Sequence, residues 1–250
     1  MGKVLLITGA TGIAEATALA AAAQGDSVFI ISCDEEGCRE LCERIGDSGY
    51  YPCDLREERD VEAAFDACLR KFRGVDAVFN VAGISGRKFG DGPLHQCSAE
   101  GWDVTLDTNV RGMFLVCRAA LRYWLEARRP GTILNMSSVL AFSPQAQHFA
   151  THAYAASKGA IISMSRAMAA YYAPHQIRVN VIAPALVRTP MSARAQKNAE
   201  VLDFIAHKQP LSKGMLDAAD VAGTALFLLG DQSRHMTGQV VGVDGGWAVS

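Results

Sequence analysis

The chain has 250 residues, half of them hydrophobic and a fifth charged, which excludes a disordered protein and allows a core that needs neither disulfide nor metal. Its 24 basic and 26 acidic side chains leave a net charge of −2, far from the strong positive charge of a nucleic-acid-wrapping protein. No apolar run approaches the roughly 20 residues of a membrane span, so neither nucleic acid nor a membrane is an expected partner.

The N-terminal residues run directly into the apolar stretch Val4–Thr8 with no signal-peptide pattern. Cysteines stand at 33, 38, 42, 53, 68, 97 and 117, an odd number with no CxxC pair. Both features predict free thiols and a cytoplasmic protein. Val4–Thr8 reads as a strand and the Ala-rich stretch Glu15–Gln24 as a helix. Between them lies Thr8-Gly9-Ala10-Thr11-Gly12-Ile13-Ala14, where glycine lets the backbone approach a phosphate at a helix N-terminus; a plain tight turn is the alternative. The next strand, Val28–Ser32, is followed by Asp34, which either binds a ribose hydroxyl or caps the helix from Glu35. No Arg or Lys stands beside Asp34 to neutralise a 2′-phosphate, which leans toward NAD over NADP. Tyr50–Cys53 is a third strand, and Asp54 after it either meets an adenine amino group or caps the helix that follows.

Val75–Val81 ends in Asn80-Val81-Ala82-Gly83 and leads into Gly83–Pro93, which reads as a flexible loop. A long helical segment, Glu100 to about Arg128, carries Asn109, a poor residue for a helix interior. Strand Thr132–Ser137 ends at Ser137-Ser138, where a hydroxyl points into a cleft. In the helix Ala153–Ala173, Tyr154 and Lys158 are four apart and share a face. A nearby ammonium lowers a phenol pKa of about 10 and makes tyrosine a usable acid–base group. Strand Ile177–Ala183, a polar helical stretch near Ala193–Lys208, helix Asp217–Leu229 and strand Gln239–Val243 complete the chain. Apolar strands alternating with helices predict one α/β domain over residues 1–250, a doubly wound, mostly parallel seven-stranded sheet with helices on both faces.

Taken in this order, these motifs, with Ile133-Leu134-Asn135-Met136-Ser137-Ser138, Asn180-Val181-Ile182-Ala183-Pro184 and Val243-Asp244-Gly245-Gly246, resemble the short-chain dehydrogenase/reductase family in its single-domain form, from Thr8 to Trp247. The resemblance implies a Rossmann-like fold and NAD(P)-dependent hydride transfer between cofactor and a ketone or secondary alcohol. It implies Tyr154 as acid–base group, Lys158 binding the ribose and tuning Tyr154, Ser138 on the reacting oxygen, and Asn109 holding a relay water. Gly9, Thr11, Gly12 and Ile13 would cradle the phosphates, Asp54 and Leu55 the adenine, and Asn80, Ala82 and Gly83 the adenosine ribose side. Pro184, Val187 and Thr189 would meet the nicotinamide. Apart from the resemblance, the segment Ser143–His152 before Tyr154 suggests that His148 or Phe149 lines the substrate pocket with Ser138 and Tyr154. No metal site is expected. A homo-oligomer, tetramer or dimer, is expected through Leu106–Leu125 and Ile161–Tyr172.

Four departures stand out against that family. One residue fewer separates the first two glycines, and Ala14 replaces the third. Strand two carries Ser32 and Cys33 where the family's Asp and Arg are usual. Ser138 and Tyr154 stand 16 positions apart, a few more than the norm, and Ala185 replaces a common glycine. A non-catalytic dinucleotide sensor or assembly protein on the same fold is the alternative function, and a lyase or epimerase a third.

Overall fold

The computed structural model describes residues 2–250. Among these residues, nine strands and ten α-helices alternate along the chain. They are β1 (Val4–Thr8), α1 (Ile13–Ala23), β2 (Ser27–Ser32), α2 (Glu35–Ile45), β3 (Ser48–Pro52), α3 (Glu58–Phe72), β4 (Ala77–Asn80), α4 (Ala99–Leu106) and α5 (Gly112–Glu126). Then follow β5 (Gly131–Met136), α6 (Ala146–Phe149), α7 (His152–Tyr172), β6 (Ile177–Pro184), β7 (Val187–Arg188), α8 (Ala193–Gln196), α9 (Ala199–Lys208), β8 (Leu216–Asp217), α10 (Ala218–Leu229) and β9 (Val240–Val243).

Seven strands form one parallel sheet, as the sequence predicts, and the structure gives their order as β3-β2-β1-β4-β5-β6-β9; β7 and β8 add a small parallel pair. Alternation along the strands divides the core. Leu5, Ile7, Val28, Ile30 and Phe79 pack under α1 and α10. Leu6, Phe29, Ile31, Val78 and Ile133 pack under α3, α5 and α7. The alanines of α1 (Ala14, Ala18, Ala21) let it lie close to the sheet.

The strand order reverses between β1 and β4, and open α/β sheets bind ligands in the crevice at such a point. Thr8 holds the crevice together: its hydroxyl accepts from the N–H groups of Val81 and Ala82 at 2.9 Å each.

Three segments differ from expectation. The long helix breaks into α4 and α5 around a π-turn at Asp107–Arg111. The Ala193–Lys208 stretch is two helices, because Asn198 caps α9 by accepting from the Val201 N–H at 3.1 Å. The Gly83–Pro93 segment carries a 3₁₀ turn at Arg87–Phe89 and buries Asp91, whose carboxylate needs partners inside the fold. Among the described residues no helix is long and apolar enough to cross a membrane.

Candidate functional site

The glycine turn opens the crevice. Gly12 is the N-cap of α1, with φ +61 and ψ −121, a conformation that only glycine adopts readily. A Cβ there would stand 2.9 Å from Thr189 Cγ2. No side chain caps α1, so its first-turn N–H groups and positive dipole end face the crevice. A Cβ on Gly9 would meet the methyl of Ala14 at 3.6 Å, an ordinary contact. These residues fit an anionic phosphate.

Beyond the turn, the two acids part company. Asp34 caps α2 through the Gly37 N–H at 3.0 Å, which favours the capping reading, and the residue stays exposed. Asp54 does not cap α3, whose N-cap is Glu57. It holds Arg56 instead, at 3.0 Å from Nε and 2.6 Å from Nη2, and this pairing lowers its pKa.

The catalytic candidates meet at the carboxyl ends of β4 and β5 and the start of α7. Tyr154 stands in the first turn of α7 and is half-buried. Burial pushes its phenol up from the ordinary value, and the Ser138 hydroxyl beside it pulls it down. Lys158 is 3% exposed, and its Nζ donates to Met136 O at 2.9 Å and lies 5.4 Å from the Tyr154 ring centroid. Burial drops Lys158 to about 8, so its charge responds to pH near neutrality. Ser138 follows β5 and caps a 3₁₀ turn at Val139–Ala141 through the Leu140 N–H at 3.2 Å.

Asn109 sits in the π-turn, a local widening often found at functional sites. Its Oδ1 accepts from Ile84 N at 2.8 Å, and its Nδ2 donates to Ile84 O and to Ser157 Oγ, both at 3.0 Å. A Cβ on Gly83 would lie 2.9 Å from Asn109 Oδ1 and 3.5 Å from Lys158 Nζ, so Gly83, Asn109 and Lys158 crowd one spot. Asn80 turns inward: Nδ2 donates to Asn135 Oδ1 at 2.8 Å, and Asn135 in turn donates to Ser165 Oγ at 2.8 Å. This network ties β4, β5 and α7 together.

Sequence reasoning missed the residues that hold this cluster. Asp91 accepts from Ala153 N at 3.0 Å and Tyr154 N at 2.9 Å, capping α7 from the loop after β4. Ser137 Oγ donates to Lys158 O at 2.8 Å. An aspartate 63 positions from its partner gives no local signal.

Around α6, Phe149 packs on Trp247 at 5.7 Å between ring centroids, and His148 packs on Phe204 at 5.3 Å. Trp247 is buried and donates its Nε1 to Ser143 O at 3.0 Å. His152 Nδ1 accepts from Leu94 N at 3.0 Å, a loop contact. Pro184 ends β6, Val187 opens β7 and Thr189 follows it, with Val187 buried and Thr189 over Gly12. All seven cysteines are free, and burial pushes Cys38, Cys53, Cys68 and Cys117 up to about 12.

Residues 8–248 match the family model described as Enoyl-(Acyl carrier protein) reductase. The chain is 36% identical to 3beta-hydroxysteroid dehydrogenase 1 of Eggerthella lenta, over 98% of this chain and 93% of the relative. The solved structure of 3-ketoacyl-(acyl-carrier-protein) reductase from Brucella melitensis complexed with NADH is 32% identical, with a TM-score of 0.89 and 99% of both chains covered. A single-substitution variant of actinorhodin polyketide ketoreductase, solved with NADPH, is 27% identical, with a TM-score of 0.89, covering 100% of this chain and 98% of that one.

Proposed function

Given that the chain belongs to the short-chain dehydrogenase/reductase family, we propose that this NAD- or NADP-dependent oxidoreductase of alcohol and carbonyl groups works through Tyr154, Lys158, Ser138 and Asn109. The nicotinamide, when bound, supplies or accepts the hydride. Gly9, Thr11, Gly12 and Ile13 hold the pyrophosphate at the α1 N-terminus. Leu55 and Asp54 take the adenine side, Ala82 and Gly83 the adenosine ribose side by backbone, and Pro184, Val187 and Thr189 the nicotinamide side.

Tyr154 gives its phenolic proton to the reacting oxygen in reduction and takes one back in oxidation. Ser138 donates to that oxygen as it gains negative charge. Lys158, while protonated, favours the phenolate of Tyr154 and offers N–H donors to ribose hydroxyls. The Asn109 side chain is spent on Ile84 and Ser157, so a relay water at this position meets the backbone of the π-turn.

The observation that carries this reading is the buried Lys158, pinned one turn beyond Tyr154 and brought to about 8. The test is turnover of carbonyl compounds with NADH and NADPH by wild type and Tyr154→Phe. We expect a loss of roughly 10²–10⁴-fold in kcat with cofactor binding kept. Cofactor binding without turnover, indifferent to Tyr154→Phe, replaces this reading with the sensor.

NAD is the better-supported cofactor. Arg39 is paired with Glu36 and with Glu43, and Asp34, Glu35 and Glu36 would repel a 2′-phosphate. A homo-oligomer is supported by a mostly apolar groove along α4, α5 and α7, lined by Leu106, Val110, Phe114, Ala156, Ala160 and Met164 together with the charged Asp107 and Arg111. Light scattering that shows a monomer refutes it. Seven free thiols support a reducing compartment, the cytoplasm.

A further inference from the structure

Two arginines far apart in sequence donate to one carbonyl. Arg87 Nη2 lies 3.0 Å from His148 O, and Arg194 Nη2 lies 3.1 Å from it. Arg87 belongs to the segment after β4, His148 to α6 and Arg194 to α8, so the three segments that border the substrate side meet at this oxygen.

Among the described residues neither guanidinium has a carboxylate partner within salt-bridge distance. Arg188, by contrast, is paired with Asp217 at 3.1 Å. The acid nearest Arg87 in sequence, Asp91, has both oxygens committed to the N–H groups of α7. Burial and the like charge of Arg194 lower the pKa of Arg87, and the carboxylate of Asp91 offsets part of that. One carbonyl uses a single N–H from each guanidinium and leaves the other donors free for a ligand. Such a pair, held on one carbonyl and without a carboxylate in ion-pair contact, suits bidentate contact with a carboxylate or phosphate.

Its position says whose anion it takes. The loop that presents Arg87 also carries Asp91, which seats the first turn of α7 at Tyr154. Beside the arginines stand the rings of His148, Phe149, Phe204 and Trp247, packed edge to face. We propose that Arg87 and Arg194 recognise an anionic group on the substrate, distant from its reacting oxygen and joined to it by an apolar body. This rests on the assignment of Tyr154 and its partners as the catalytic group.

The test uses the full chain with NADH and three ketones of one shape: 4-acetylbenzoate, 4-acetylphenyl phosphate and the neutral 4-acetylbenzamide. Binding is read by calorimetry and turnover by absorbance. At low salt we expect one or both anions to bind at least about tenfold tighter than the amide, the stronger of the two naming carboxylate or phosphate. Arg87→Ala and Arg194→Ala should each shrink the anion-to-amide ratio, and Arg87→Lys should restore part of it. A ratio near one in wild type, or one that survives both alanine variants, overturns the proposal. So does an equal loss for anion and amide, which marks the arginines as loop pins alone. If the amide is still reduced in a Tyr154-dependent way, the catalytic reading stands while this one falls. Arginine-dependent anion binding with no turnover of any ketone supports the anion site and counts against the catalytic reading.

Discussion

Lys158 should make the protein less stable, and by an amount that pH controls. Burial takes its pKa from 10.5 to about 8, with a single hydrogen bond, to Met136 O, to offset the lost hydration. At 1.36 kcal/mol per factor of ten, keeping the side chain charged inside the fold costs about 3 kcal/mol at pH 7. Between the folded and unfolded values the unfolded chain binds a proton that the fold does not, so stability rises with pH through that window. Below about pH 8 the penalty is fully present; by pH 9.5 about 1.4 kcal/mol of it remains. Lys158→Met removes the penalty and leaves Met136 O without its donor, a loss of about 1–3 kcal/mol that does not depend on pH. The stability of the variant relative to wild type should therefore fall by about 2 kcal/mol between pH 7 and pH 9.5. The assay is urea unfolding without cofactor at one protein concentration, taking the difference at each pH so that other titrating groups cancel. The same difference at both pH values refutes the claim that Lys158 is charged and strained by burial.

Three further outcomes follow from the geometry. Gly12→Ala forces a Cβ into a positive-φ turn against Thr189; it should cost about 1–3 kcal/mol, lower Tm by several degrees in thermal scans and weaken NADH binding at least about tenfold in fluorescence titration. Asp91→Ala strips two partners from the α7 N-terminus and should cost about 2 kcal/mol in urea unfolding, with kcat falling more than the cofactor KM; Asp91→Asn should recover part of both, and an unchanged kcat speaks against the cap as the device that seats Tyr154. NADH should bind at least as tightly as NADPH by fluorescence quenching, because the residues around Asp34 are acidic; a clear preference for NADPH contradicts the charge argument.

The seven-stranded doubly wound sheet was legible in the chain because its signals are local. Apolar runs such as Val4–Thr8 and Ile177–Pro184 are buried on both faces, and periodicity shows this without any partner. The same holds for Gly12 before α1, and for Tyr154 and Lys158, whose spacing on one helix already brings them together. Asp34 and Asp54 were each ambiguous between cap and ligand, since both roles use a carboxylate after a strand; in the fold Asp34 caps α2 and Asp54 holds Arg56.

What needed the folded molecule was every contact made across the sheet or between loops. Asp91 looked like part of a mobile glycine-rich segment, yet it holds the helix that carries Tyr154 from 63 positions away. The Asn109 helix looked continuous, and the structure shows a π-turn there whose Asn109 side chain hydrogen-bonds Ile84 and Ser157. Arg87 and Arg194 stand 107 positions apart, and nothing local to either shows that both donate to His148 O. A chain states its periodicities and its turn chemistry within a few residues. Burial, and with it the ionisation of Lys158 and the company a charge keeps, exists only once distant segments have closed over one another.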